Sequence, residues 1–558
     1  MKSYKQNLMT SALSAVFYIA YSFLLRHQVS NVFSSDTSNQ NIRILSVFIS
    51  CIFGYCVFFL IFTALHLFIQ KNKCFLSYFK QFLLYFIPLF ILLILTWPGI
   101  FKGDDFYVLN AIHNYTLSPA QTGLTSLFYI CCIRFFPSMG SIAFFQIIII
   151  SCIYAYIFKN LKEIYPGCRF FIARAVFFLL PVLDGCLFTL RATLVGFLFL
   201  LILASCLFIW KRKTLYLKQM MILSVLTGLV IAWRTEFIYM LLFLPCYFFF
   251  LFYKKNGFRP CIKQAVSCFL IILCAFLCFN LPNKLALNGS NKYPISLVIN
   301  PLGNIFAQEE IRGEHAYDDI MTINELIDVQ ALRNHPSVRN ISQYWNIPDI
   351  LPKEQLNAFM KASFDLILNN FDHFLYYRWQ TFKYTNGMVP DDINHPTAPT
   401  VETIYTLNYY GENFRDRYYF SNAPLGETIR NKTIDILACR HYETDHIKTN
   451  MLYPIMYNCL PTFVIALFCM IVCIVAKKYA MAALLFFSGF QLVFIFLTAP
   501  AMFFMYYFCF YLTGYFLSAL SVYELRLNNQ LPLQKLYIFA RGIWQGFLAF
   551  LSGISEQK

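Results

Sequence analysis

Apolar runs of roughly 18–25 residues recur along the chain, and that is the length a helix needs to cross the hydrocarbon core of a bilayer. Hydrophobic residues make up 59% of the 558 residues, and charged residues only 13%. A soluble chain of this length cannot bury so much apolar surface, because soluble proteins expose polar faces to water. The sequence therefore predicts an all-α polytopic membrane protein. The closely spaced runs exclude a single cleaved signal peptide as their explanation.

The order of the runs predicts about twelve membrane-crossing helices by length. The run 220–253 is too long for one crossing and is interrupted by Arg234-Thr235-Glu236, so it predicts two crossings joined there. The segment 121–136 is shorter and more polar, which favours a helix lying in the membrane interface. The other ten crossings are expected at residues 1–25, 44–69, 81–100, 139–158, 170–187, 192–210, 265–281, 453–476, 481–498 and 501–523.

Charged residues are distributed unevenly along the chain. The stretch 282–452 holds 20 of the 28 acidic residues and 15 of the 44 basic residues. Most other basic residues lie in short loops between apolar runs, as the positive-inside bias predicts for cytoplasmic loops. No basic groove with interleaved aromatic residues is visible, so no nucleic-acid partner is expected.

This charge pattern predicts four regions, with both chain termini in the cytoplasm. They are an N-terminal transmembrane domain, an extracytoplasmic domain of mixed but mostly helical structure, C-terminal transmembrane helices and a cytoplasmic tail, at residues 1–281, 282–452, 453–523 and 524–558. The first large outer loop, 101–138, is acidic at its start.

Several charged residues lie within or at the outer ends of the predicted crossings: Asp104, Asp105, Asp184, Glu236, Arg134, Arg191 and Arg234. Charges at membrane depth cost roughly 2.5–3.5 kcal/mol on insertion scales, so they usually line a cavity or pair with one another. Arginine presents donors that match phosphate oxygens, and a carboxylate can accept a proton from a hydroxyl or amine. The pattern predicts a site for an anionic lipid headgroup beside an acid/base group. Arginines, or a divalent metal held by the acidic pair, would stabilise the leaving group.

The same residues also have structural interpretations that the sequence leaves open. The two adjacent aspartates equally fit an exposed loop or a helix N-cap, and Arg234 with Glu236 equally fits an ion pair within one turn. Arg191 and Arg134 fit side chains that reach towards lipid headgroups, and Asp184 fits a partner of Arg191.

Three short motifs resemble GT-C fold glycosyltransferases, in particular bacterial relatives of the protein O-mannosyltransferases and of the lipid A aminoarabinose transferase. Trp97-Pro98-Gly99, followed by Gly103-Asp104-Asp105-Phe106 and a helix, is similar to their first outer loop. Ala232-Trp233-Arg234-Thr235-Glu236 is similar to a later arginine within an apolar run, and 359–378 to the helix before their last spans. The chain departs from them in two extra spans before the acidic loop, and in Leu117-Ser118-Pro119 where many relatives have a histidine motif.

The resemblance implies a GT-C-like enzyme of the bacterial plasma membrane. It implies inverting transfer of a sugar from a polyprenyl-phosphate carrier to a glycan, lipid or protein acceptor outside the cytoplasm. Asp104 or Asp105 would be the general base, Arg234 and Arg191 would hold the carrier phosphate, and Glu236 and Arg134 would complete the substrate site. No cofactor is implied beyond a possible Mg²⁺ or Mn²⁺.

Other functions remain open. A polysaccharide polymerase or ligase would use basic residues of the large outer domain, namely Arg333, Arg339 and Arg415. A lipid or oligosaccharide flippase, or another transporter, usually has internal repeats and charges at the bilayer midplane. Here no repeat is visible and the charges crowd towards one face, which favours an enzyme. A membrane scaffold without catalysis also fits the sequence.

Asp391-Asp392 with His395 is expected to form a turn rather than a metal site.

Overall fold

The computed structural model describes most of the chain. The described residues are 2–34, 40–101, 103–118, 122–286, 290–334, 350–386, 417–443 and 446–527, with the isolated residues 336, 344, 346–348, 388, 408–409 and 412–413. This part of the chain is almost entirely helical, and its strands form three antiparallel pairs of two to four residues each.

The first half of the chain is a series of helices with short connections. They are α1 (Lys2–Leu24), α2 (Arg26–Val32), α3 (Gln40–Ile69), α4 (Lys73–Leu95), α5 (Gly103–His113), α6 (Gly123–Phe135), α7 (Gly140–Ile164), α8 (Phe171–Ala175), α9 (Leu180–Leu187), α10 (Arg191–Arg212), α11 (Leu217–Trp233), α12 (Met240–Asn256) and α13 (Phe258–Ala286).

The second half begins with shorter, more polar helices and ends with apolar ones. The helices are α14 (Tyr293–Phe306), α15 (Ala316–Asn324), α16 (Val329–Asn334), α17 (Lys353–Asn369), α18 (Phe371–Thr385), α19 (Glu427–Leu437), α20 (Tyr453–Met456), α21 (Cys459–Val475), α22 (Tyr479–Thr498) and α23 (Phe508–Leu527). The strand pairs are Ser290–Asn291 with Ile350–Leu351, Asn408–Tyr409 with Glu412–Asn413, and Arg440–Glu443 with His446–Thr449.

Nine helices in the described part are long and apolar enough to cross a membrane, or ten if the bent pair α1 and α2 is one span. The chain is therefore an integral membrane protein, with fewer such helices than the predicted twelve. One difference is 170–187, which is broken into two short helices and a 3-10 turn. Another is α11, whose 17 residues are fewer than those of any of the nine spans, which have 19 or more residues each. The predicted break near Arg234 is confirmed, because α11 ends at Trp233.

Helix α10 lies at the centre of the bundle. In its most apolar stretch 94% of the residues are buried, against 17% for α3 and 11% for α13. Lipid tails are as apolar as leucine, so helices in a bilayer associate by close packing rather than by leaving water. Gly228 in α11 illustrates this packing, since an added Cβ there would lie 2.8 Å from the Ile272 carbonyl oxygen of α13.

Helix α6 is buried on nearly all sides, which differs from the predicted interfacial helix. It packs against α3, α5, α7 and α13, and nine of its thirteen residues are buried. Its length of 13 residues is too short to cross the bilayer. The helix therefore acts as an internal support for the segments around it.

Basic loops that were predicted to share one side of the membrane meet at one end of the bundle. Lys211 in the last turn of α10 lies 2.5 Å from the buried Glu524 carboxylate of α23, and Lys478 lies 3.5 Å from it. The Tyr165 hydroxyl also donates to Glu524 at 2.7 Å. At the same end, Arg212 pairs with Glu163 at 3.0 Å. The predicted tail beyond residue 527 lies outside the described residues.

We predict that Glu524→Gln lowers the stability of the bundle by about 1–3 kcal/mol, because two lysines lose the buried carboxylate they face. The measurement is the melting temperature of the purified protein in detergent. The matched control is Glu163→Gln, since the Glu163 side chain is 51% exposed, and surface ion pairs contribute about 0–1 kcal/mol. Equal melting temperatures for the two variants would contradict this role of Glu524.

Candidate functional site

The site is built around the segment that precedes α5. The backbone N–H of Ile100 donates to the Leu187 carbonyl at 3.1 Å, and the N–H of Thr189 donates to the Ile100 carbonyl at 3.4 Å. Gln146 of α7 donates to the Phe188 carbonyl at 2.7 Å and so holds Phe188, which forms an isolated parallel bridge with Ile100. The pairing fixes the start of the acidic loop beside the start of α10.

Asp105 is buried within this arrangement. Its carboxylate accepts hydrogen bonds from the Thr189 hydroxyl at 2.8 Å and from the Tyr129 hydroxyl of α6, and its side chain is 0% exposed. Charge-assisted hydrogen bonds of this kind are the strong ones in a low-dielectric interior. Asp105 therefore anchors α5 to α6 and to the segment before α10, whereas Asp104 next to it is only partly buried.

Arg234 and Glu236 form an ion pair at the break between α11 and α12. The Arg234 Nε donates to Glu236 Oε1 at 2.6 Å, and the arginine side chain is 5% exposed. Trp233, which ends α11, donates from its indole N–H to the Thr125 hydroxyl of α6 at 3.0 Å. The ion pair is thus held next to α6, on the same side as the acidic loop.

Arg191 links this ion pair to the region after α13. It is the first residue of α10, and its Nη1 lies 3.4 Å from the Trp233 carbonyl oxygen, to which it donates. Its guanidinium carbon lies 5.9 Å from the centre of the Tyr293 ring. A guanidinium over an aromatic face is a favourable cation–π contact. Arg191 is half-buried, between the ion pair and Tyr293.

The pKa values of two tyrosines are shifted by the charged groups around them. Burial raises the pKa of Tyr293, Arg191 and Arg234 lower it, and Glu236 and Asp104 raise it. Burial also raises the pKa of Tyr506, where Tyr293 and Asp104 act in the same direction and the two arginines act against them. Each tyrosine hydroxyl is thus within electrostatic range of both an acid and two arginines.

A cavity of about 170 Å³ opens beside these tyrosines. Thr235 and Glu236 line it together with Tyr293 and Tyr506, and its remaining walls come from α14, from α22 and from the turn after α22. Four predicted site residues therefore lie near the tyrosine pair. Glu236 lines the cavity, Arg191 contacts Tyr293, Arg234 pairs with Glu236, and Asp104 lies within electrostatic range of both tyrosines. We call this group with Tyr293 and Tyr506 the charged cluster.

Arg134 does not join the charged cluster. Its Nη1 donates to the Tyr115 hydroxyl at 2.6 Å, and it lines a different cavity at the other end of α6. Nine residues of helix separate it from Thr125, which is a rise of about 14 Å. The expectation that Arg134 shares a site with Arg191 and Arg234 is therefore wrong, because the end of α6 that carries Arg134 faces another cavity.

The remaining sequence candidates lie elsewhere. Asp184 is buried within electrostatic range of Cys439 and Tyr457. Arg333 is exposed at the end of α16. The other candidates of the outer domain lie outside the described residues: Arg339, Arg415, Asp391, Asp392 and His395.

Arg378 of α18 is a residue that sequence reasoning did not assign to the site. It is 2% exposed and donates to the Ala499 carbonyl at 2.5 Å and the Leu297 carbonyl at 2.8 Å. Ala499 and Leu297 both line the cavity of the charged cluster. Asn300 of α14 reinforces the contact by donating to the Pro500 carbonyl at 3.1 Å. Arg378 therefore positions the cavity walls.

The described residues do not form a donor set for a divalent metal. No group of three or more histidine, cysteine, aspartate or glutamate side chains is found among them. Mg²⁺ and Mn²⁺ prefer several oxygen ligands, whereas the Glu236 carboxylate is already paired with Arg234. The positive charge of the cluster comes from arginines.

Comparisons of this chain with protein-family models, with curated proteins and with solved structures find no match.

We predict that Arg378→Lys lowers the stability of the protein by about 1–3 kcal/mol, because one ammonium cannot serve two separate carbonyls at the distances that the guanidinium spans. The measurement is again the melting temperature in detergent. Arg312→Lys is the control, since Arg312 pairs with Asp372 and is 49% exposed. A control variant that melts as early as Arg378→Lys would show that the buried contact has no special role.

Proposed function

We propose that the protein is a membrane-embedded glycosyltransferase. In this proposal it moves a sugar from a polyprenyl-phosphate carrier to an acceptor outside the cytoplasm. The observation that carries the proposal is the charged cluster, which combines one partly exposed carboxylate, Asp104, with two arginines beside a cavity. The motifs around Asp104 and Arg234 that resemble GT-C fold enzymes agree with it.

The geometry of α10 supports a site at the outer leaflet. Arg191 begins the helix and Lys211-Arg212 end it, with no charged residue between them. A helix of 22 residues is about 33 Å long, which matches the hydrocarbon thickness of a bilayer. Because basic loops favour the cytoplasm, the Lys211 end is the cytoplasmic one in this proposal. The charged cluster then faces the opposite leaflet.

Asp104 is the proposed general base. An acceptor hydroxyl or amine attacks the anomeric carbon of the sugar while Asp104 takes its proton. The bond between the anomeric carbon and the phosphate oxygen breaks, and the carrier phosphate leaves with the electron pair. Asp105 is less suited to this role, because Tyr129 and Thr189 already occupy its fully buried carboxylate. It is proposed to hold Asp104 in position.

Arg191 is the proposed phosphate-binding residue. A guanidinium can bind two phosphate oxygens at once and keeps its charge throughout the reaction. Negative charge grows on the phosphate as it leaves, so a fixed cation stabilises the transition state more than the bound carrier. Arg234 is more buried and is paired with Glu236, so it contributes by fixing that wall of the site.

The tyrosine pair is proposed to bind the sugar. Aromatic faces pack against the apolar faces of sugar rings, and phenolic hydroxyls donate and accept hydrogen bonds. Tyr293 and Tyr506 offer both surfaces within the cavity. A cavity of about 170 Å³ is the size of a single sugar ring rather than of an oligosaccharide, which favours a single-sugar transferase over a polymerase or ligase.

We predict that Asp104→Asn lowers the rate of sugar transfer by about 10²–10⁴-fold, because the amide cannot accept the acceptor's proton. The assay follows consumption of polyprenyl-phosphate sugars by the purified protein in detergent, together with the cell-surface glycan profile of cells that carry the variant. Detergent removes any sealed compartment, so turnover there identifies an enzyme and excludes transport as the source of the signal.

The matched control is Asp318→Asn, which removes an exposed carboxylate at the start of α15. Asp105→Asn is a second comparison, and we expect it to lower the melting temperature because it weakens buried bonds to Tyr129 and Thr189. The proposal fails if Asp104→Asn and Asp318→Asn both leave the glycan profile and the transfer rate unchanged.

A further inference from the structure

A second cavity, of about 370 Å³, lies away from the charged cluster. It forms where the bend between α1 and α2 meets the start of α3 and the end of α6. Three arginines line it, one from each of these elements, namely Arg26, Arg43 and Arg134. The rest of its described lining is three tyrosines, three serines, a phenylalanine and a valine. This described lining contains hydroxyl groups and cations but no carboxylate.

Aromatic side chains hold two of the arginines in place. Tyr115 accepts a hydrogen bond from Arg134 at 2.6 Å, and its ring centre lies 5.8 Å from the Arg43 guanidinium carbon. Phe33 stacks on Tyr115 with ring centres 4.9 Å apart and also lies under Arg134. A guanidinium has five N–H donors, and the Tyr115 bond uses one of those on Arg134. The arrangement concentrates positive charge and hydrogen-bond donors in one concave space.

The surroundings of the cavity identify the kind of anion. Phe23 and Leu24, just before Arg26, are 74% and 73% exposed, and Ile44, just after Arg43, is 62% exposed. In an integral membrane protein such residues contact lipid tails, so the cavity opens at the border between tails and headgroups. We infer that this cavity binds the phosphate of an anionic membrane lipid, with the lipid chains lying along α1 and α3.

This lipid site is separate from the proposed sugar-transfer site. The two are joined by α6, whose residue Thr125 contacts Trp233 beside the charged cluster while Arg134 lies about 14 Å further along the helix axis. The helices α1 and α3, which contribute to this cavity, are the first and second long helices of the chain. The bound lipid would therefore be a structural or regulatory ligand, not the reacting carrier.

The test is lipid binding by native mass spectrometry of the full chain in a neutral detergent, with phosphatidylglycerol, phosphatidylcholine and inorganic phosphate as separate probes. We expect phosphatidylglycerol to bind more tightly than phosphatidylcholine, and Arg26→Gln with Arg43→Gln to weaken phosphatidylglycerol about tenfold or more, because two charge-assisted contacts are lost. The matched control is Arg259→Gln with Lys263→Gln, which removes two exposed cations from α13.

Each alternative result overturns a stated part of the inference. If both double variants weaken phosphatidylglycerol binding equally, the binding depends only on the net charge of the protein. If phosphatidylglycerol and phosphatidylcholine bind equally well, the arginines do not select an anionic lipid. Displacement of phosphatidylglycerol by equimolar inorganic phosphate identifies a site for soluble phosphate instead of a lipid. Arg26→Gln alone, at an exposed position, keeps the test valid if the double variant fails to fold. Sugar transfer is measured in parallel, so a failure of the proposed enzymatic function is seen independently.

Discussion

The structure depends on one buried helix, α10, that carries charge only at its ends. A charge in the middle of such a helix would cost several kcal/mol in the hydrocarbon core, so charged chemistry is confined to the two surfaces. At one end Lys211 packs against Glu524, and at the other Arg191 contacts Trp233 and Tyr293. The bundle thereby places the ion pairs of Glu524 and Glu163 at one end and the charged cluster at the other.

Short-range contacts connect the acidic loop to the start of α10, where Arg191 lies. Ile100 pairs with the segment 187–189, and Thr189, two residues before α10 begins, donates to Asp105. Fixed donors and acceptors of this kind cost no reorganisation when a substrate binds. Arg378 makes the equivalent connection from the other side, since it ties the polar region after α13 to the turn that follows α22.

Much of this arrangement follows from the sequence, because charge and hydropathy determine which residues lie at the membrane surface. The break at Arg234 and the shared side of Asp104, Arg191 and Arg234 could be predicted in that way. Which of the charged side chains meet in one site could not be predicted, as Arg134 shows, because it faces another cavity. Tyr293 and Tyr506 could not be singled out among 37 tyrosines. The contacts of Arg378 could not be predicted either, because it lies in a polar region whose packing does not follow from the hydropathy pattern.

The proposed function requires that the charged cluster hold the phosphate of a lipid carrier. An experimental structure of the protein in a lipid nanodisc with a polyprenyl phosphate tests this requirement without any assay of turnover. We expect phosphate density within hydrogen-bonding distance of Arg191, next to Tyr293 and on the same side as Asp104. Phosphate density at the Lys211 end, or a carrier bound only in the cavity of Arg26 and Arg43, would contradict the proposed site.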